Sequence, residues 1–190
     1  MTRTRRTAAL YGAVTLVLAL AGCGGGGDDE ESSAGATAAP APVTSSTAPA
    51  DPDAAEKAAV LASYSSMWAE QMKAYKVADA RHTDLKKFAA LNALSKFQLD
   101  LAQMKQNGTV GTGELGHKPE VTALDAGGKL PKATIQDCID LTGWKAVRTS
   151  GEPVPLPSNQ PRRYVATATA EKWPNGWMVT DYTPDGARTC

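Results

Sequence analysis

The stretch 162-RRYVATATAEKWPNGWMVTDYT-183 decides the fold. Two runs of alternating β-branched, alanine and aromatic residues, Arg162–Trp173 and Gly176–Thr183, flank the turn Pro174-Asn175-Gly176. Two such runs around a tight Asn-Gly turn predict an antiparallel hairpin. Upstream, 153-PVPLPSNQP-161 is a proline-rich loop, and 142-TGWKAVRTSG-151 predicts a short strand. In 132-KATIQDCIDL-141, Ile135, Asp137, Ile139 and Leu141 alternate with Thr134, Gln136, Cys138 and Asp140. That period of two belongs to a strand with one buried face. The segment 114-ELGHKPEVTALD-125 is extended and ends at the turn 126-AGGKLP-131.

The period changes N-terminal to Gly108. Val60, Leu61, Tyr64, Met67, Trp68, Met72 and Tyr75 recur mostly at steps of three and four, behind Asp51-Pro52. An acidic N-cap followed by proline and an apolar stripe predicts an amphipathic helix of about 25 residues. A second stripe, Leu85, Phe88, Leu91, Leu94, Phe97, Leu101 and Met104, predicts another helical region, closed by Asn107-Gly108. Helices first and an antiparallel sheet of about four to five strands afterwards make an α+β domain.

The N-terminus reads differently. Arg3, Arg5 and Arg6 precede the uncharged apolar run Ala8–Ala19, then Leu20-Ala21-Gly22-Cys23. A basic start, a short apolar run and small residues predict a signal peptide over 1–22. The run falls short of the roughly 20 apolar residues of a membrane span. Cysteine directly after small residues resembles the bacterial lipobox. The resemblance implies lipidation of Cys23 by palmitate-type acyl chains, and attachment to the outer face of the cytoplasmic membrane. Paired chains anchor stably, where one chain binds only marginally. Arg5-Arg6 leaves twin-arginine export open beside the general secretory route.

Residues 23–51 are expected to be anchor and disordered linker, because Gly24–Ala50 is glycine, serine, threonine, alanine and proline apart from its acids and Val43. Such a composition buries too little to offset chain entropy. Asp28, Asp29, Glu30 and Glu31 repel an anionic bilayer.

Residues 52–190 form one domain by length. The chain's 20 basic and 20 acidic residues cancel. Three basic residues fall in the leader and five acids, Asp28 to Glu31 and Asp51, in the linker, which leaves the domain 17 basic against 15 acidic. No basic field exists to hold nucleic acid. Cys138 and Cys190, an even pair in an exported domain, predict a disulfide.

The order of elements, together with Asp137, Cys138 and Asp140 in "DCID", "NGWMVT" at Asn175–Thr180 and the terminal Cys190, resembles a family of actinobacterial lipoproteins and secreted proteins in the nuclear transport factor 2-like superfamily. The resemblance implies a cone in which helices pack on a curved antiparallel sheet. Most members carry no assigned activity, while the superfamily holds both enzymes and interaction domains.

Asp137 is the one weak catalytic candidate. On the inner face it would be desolvated and could serve as a base; the structural alternative is a cap on a backbone amide or a pair with Arg162 or Arg163. His82 and His117 read as surface or turn histidines without metal-like neighbours. Trp144, Trp173, Trp177 and Tyr164 are candidates for a pocket or partner face, with Trp173 or Trp177 expected to be exposed beside the hairpin turn. Trp68 reads as core. No metal or cofactor is expected. The function expected is that of an extracytoplasmic binding or interaction domain, with an envelope protein as a possible partner. The alternatives are an isomerase- or cyclase-like enzyme and a carrier of a small apolar ligand in the cone.

Overall fold

The computed structural model describes residues 51–190. The expected signal peptide, the expected lipidation site Cys23 and the expected linker up to Ala50 lie outside the described residues. Among the described residues no helix is long and apolar enough to cross a membrane.

The domain is α+β. Helix α1 spans Ala54–Tyr75 and α2 Leu91–Gln106. Seven strands follow: β1 Thr109–Gly113, β2 Pro119–Asp125, β3 Lys132–Asp140, β4 Trp144–Arg148, β5 Pro153–Val154, β6 Arg163–Trp173 and β7 Gly176–Asp185. They form a four-stranded sheet in the order β2-β3-β6-β7 and a three-stranded sheet in the order β1-β4-β5, with every pairing antiparallel. β1 and β5 escape the sequence pattern. β1 is Thr-Val-Gly-Thr-Gly, with no apolar alternation to betray it, and β5 is two residues inside the proline-rich loop.

The two sheets meet at a corner. Gly116 and Asp140 exchange backbone hydrogen bonds of 2.9 Å in each direction. From there β3 turns through Leu141–Gly143 into β4. Asp140 shapes that turn, accepting from the Thr142 amide at 2.8 Å and from the Thr142 hydroxyl. Beside the corner, Gly113 has φ +75°, and a Cβ there would overlap the Gly143 carbonyl. Gly113→Ala is therefore expected to cost about 2 kcal/mol, read in urea unfolding, since it combines a left-handed backbone with a steric clash. A cost below about 0.5 kcal/mol would show that the corner relaxes freely.

The hairpin forms as expected, with β6 and β7 joined through Pro174-Asn175 and one register shift near Thr169. The N-terminal half of α1 clamps it. Ser63 Oγ donates to the Trp177 carbonyl at 2.6 Å, while the Glu56 carboxylate accepts from Trp177 Nε1 at 3.0 Å and pairs with Lys172 at 2.6 Å. The core between helices and four-stranded sheet is filled by Val60, Met67, Phe97, Ile135, Ile139 and Val179, all fully buried.

The second stripe does not make one helix. Leu85–Lys87 is a 3₁₀ turn, and Phe88–Ala90 then pairs in parallel with β7: Val179 N–H donates to the Phe88 carbonyl at 2.8 Å and Ala90 N–H to the Val179 carbonyl at 2.9 Å. Satisfying the open edge of β7 pulls these residues out of helical geometry, and Ala90 is extended at φ −144°. Leu91 then opens α2 with φ +48° and is exposed rather than part of the stripe.

Candidate functional site

Alternation along β3 puts Asp137 on the buried face with Ala133, Ile135 and Ile139. A bare carboxylate there would be costly, and three donors meet it. Its Oδ2 accepts from the Tyr64 hydroxyl at 3.0 Å and lies 2.8 Å from His117 Nδ1; its Oδ1 accepts from the Lys118 amide at 2.7 Å. Arg163 turns instead towards Asp140, at 3.7 Å. Burial, and then the negative charge of Asp137, push the Tyr64 hydroxyl far above the usual tyrosine range, so it remains a neutral donor.

From its sequence context His117 is expected at the surface or in a turn. The structure joins it to Asp137 across 20 residues, with its ring tilted over Trp68 at a centroid distance of 4.8 Å. Its side chain is 22 % exposed and borders a groove of about 500 Å³ along α1 that also touches Ser65, Met72 and Lys76. Chemically, Asp137 has both oxygens engaged and anchors the imidazole and the 117–118 backbone. It is poorly placed to take a substrate proton itself. His82 stays in an exposed turn, apart from this cluster.

The second concavity is aromatic. A cleft of about 340 Å³ opens between α1, α2 and the sheets, walled by Trp68, Tyr75, Trp144, Leu156, Tyr164 and Tyr182. Trp144 reaches it because residue 111 is glycine: a Cβ on Gly111 would lie 2.9 Å from Trp144 Nε1. Trp68 packs edge-on against Phe97 and Tyr182 at 5.6 and 5.3 Å, which fixes the inner wall. Of the four aromatic candidates, Trp144 and Tyr164 meet here. Trp173 and Trp177 do not, and the expected exposure at the hairpin turn is corrected: Trp177 is buried on Glu56, and Trp173 is half-buried with its Nε1 bonded to Glu171 at 3.2 Å.

Of the residues that wall this cleft, Trp68 Nε1, Trp144 Nε1 and the Tyr182 hydroxyl are buried without a hydrogen-bond partner among the described residues, and so are both amide atoms of Gln71, which does not line it. The Tyr164 hydroxyl neighbours that of Tyr182, and Tyr75 neighbours Gln71, in each case without the geometry of a hydrogen bond. Burial raises the Tyr75, Tyr164 and Tyr182 hydroxyls, which all stay neutral. Native interiors leave few such atoms, each costing about 1–3 kcal/mol unless something pairs with it.

Asp100 and Lys96 stand at the mouth. Burial raises the Asp100 carboxyl, with Lys96 opposing. An acid raised on folding stabilises the native state less as pH climbs. Asp100→Asn should therefore melt progressively higher than the parent as pH rises from about 3.9 through the raised titration. Parallel melting curves across that window would contradict this assignment.

Among the described residues no set of three His, Cys, Asp or Glu side chains could hold a metal. Cys138 and Cys190 are disulfide-bonded, with Cα atoms 5.9 Å apart. Cys138 lies on the outer face of β3, opposite Asp137.

No family model matches the chain, and no curated protein matches it. Among solved structures, it is similar to the intermembrane space region of the chloroplast protein ARC6, at 16 % identity and a TM-score of 0.45, over 70 % of this chain and 97 % of that one. A likeness of that order supports no statement about what this chain binds.

Proposed function

We propose that this chain is a lipid-anchored, extracytoplasmic binding domain of nuclear transport factor 2-like architecture that holds a small amphipathic ligand in the aromatic cleft. The observation that carries the reading is the aromatic cavity itself, three of whose wall residues, Trp68, Trp144 and Tyr182, each carry a buried, unpaired polar atom. Binding sites combine an apolar wall with a few converging polar groups, at volumes from about 300 Å³ upward. The disulfide fits an oxidising compartment. The leader and Cys23 supply the anchor, and the linker gives the cleft distance from the bilayer.

A neutral dye tests the cleft. N-phenyl-1-naphthylamine should gain fluorescence with the full chain, and Leu156→Trp, which fills the cleft from its loop side, should weaken the dye at least tenfold. Unchanged dye binding in that variant would remove the cleft from the proposal. Cys23→Ser should release the protein into the medium or stall its processing; full membrane partition at normal mature mass would remove the anchor.

A further inference from the structure

Among the described residues the aromatic cleft has one acid in its lining, Asp100. Lys96, Asp100, Gln103 and Asn107 recur at steps of three and four and turn one face of α2 to the cleft, while Ala93, Phe97 and Leu101 turn another to the core. Asp100 is half-buried beside the rings. Burial holds its carboxyl above the ordinary range, and no hydrogen bond among the described residues relieves it. Lys96, one turn earlier on the same helix, acts on the carboxyl through space without bonding to it. The Tyr75 and Tyr164 hydroxyls lie close enough to feel Asp100, being raised by burial first and by that charge after it. A neutral side chain would line the same position without a charge to desolvate. A half-buried carboxylate kept without a bonded partner in a cleft is a mark of function.

We infer that the cleft selects cationic amphiphiles, in which a flat apolar body carries an ammonium group that Asp100 and the rings around it hold. The inference rests on the cleft being the ligand site. The ammonium sits at the mouth and donates to the Asp100 carboxylate, a charge-assisted bond stronger than one between neutral groups. The neutral Tyr75 and Tyr164 hydroxyls can accept its remaining hydrogens. Aromatic faces also attract a cation that comes within about 6 Å of the ring centre. Tyr75 and Trp144 meet edge-to-face there, with centroids 6.4 Å apart. The apolar body then lies between Trp144, Tyr164 and Leu156. Folding has already stripped part of the water from Asp100, so an arriving cation meets a charge whose attraction is weakly screened. An anionic ligand would face that carboxylate with like charge, and an uncharged one would leave it unanswered.

Three probes of one shape separate the possibilities: 2-phenylethylamine, its uncharged isostere propylbenzene, and 3-phenylpropanoate. Each is titrated into the full chain in neutral buffer while the tryptophan indole N–H resonances are followed by NMR. The amine should bind at least tenfold tighter than either of the others and shift the Trp144 resonance. In Asp100→Asn the amine should fall to within twofold of propylbenzene, which itself changes less than twofold. Equal affinity of amine and propylbenzene for the parent chain would overturn the inference and leave the cleft an apolar binding site. Tightest binding of 3-phenylpropanoate would overturn it in favour of an anion held by Lys96. A preference for the amine that survives in Asp100→Asn would overturn the role given to the carboxylate. If no probe binds, the inference falls and the cleft reading falls with it. The ranking is read on the parent chain, so it decides the ligand class even if the variant fails to fold.

Discussion

Cys190→Ser should lower the stability of the domain by about 4 kcal/mol, measured by urea unfolding under non-reducing conditions. The bridge joins residues 52 positions apart, and closing a loop of that length removes conformational entropy from the unfolded chain. The native fold around it is held independently. Val165 N–H donates to the Arg188 carbonyl at 2.8 Å, which keeps the terminal segment against β6 even without the covalent link. The loss should therefore fall mainly on the unfolded state, and the denaturant slope should rise as the released chain expands. A change below about 1 kcal/mol would show that the unfolded chain is already restricted across that loop.

Asp137→Ala should cost about 3–5 kcal/mol, the range for removing one partner from a buried charged set. It leaves the Tyr64 hydroxyl without its acceptor at a position 1 % exposed, strips the Lys118 amide and frees His117. Asp137→Asn should cost less, about 1–3 kcal/mol. Asparagine keeps one oxygen for the Lys118 amide, while its amino group faces Tyr64 and His117, both of which can accept. Thermal melts of the three proteins give the order parent, Asn, Ala. An Asn variant melting at or above the parent would mean that the carboxylate is a strained charge kept for chemistry, and would return Asp137 to the list of bases.

Much of this architecture is written in local pattern. The α1 stripe, the turn at Asn175-Gly176 and the alternation through Asp137 each reflect one element meeting one flat partner, and such periods survive folding intact. The second helical stripe fails because it contains two demands at once. Phe88–Ala90 must satisfy the β7 edge while Ala93, Phe97 and Leu101 must face the core, and apolar spacing cannot distinguish the two. His117 was invisible as a partner because its acceptor sits on a strand 20 residues on, and only the β2–β3 register, Pro119 opposite Asp137, brings them together. The aromatic cleft is harder still. Trp68, Trp144, Tyr164 and Tyr182 come from three strands and a helix, and nothing local in the sequence says that their rings share a wall.

The bridge from Cys138 to Cys190 also decides how the domain answers to mechanical load. Pulled between Asp51 and the C-terminus, the chain transmits tension from α1 to β3 and then straight across the sulfurs. Strands β4 to β7, with Trp144, Tyr164 and Tyr182 of the cleft, lie on a slack bypass. In the oxidised form the fully stretched domain would reach about 300 Å rather than about 480 Å, because the residues between the two cysteines cannot pay out. A domain held at one end and tugged at the other would thus keep its hairpin out of the line of force, and a reducing environment would show itself as extra length in a single-molecule trace.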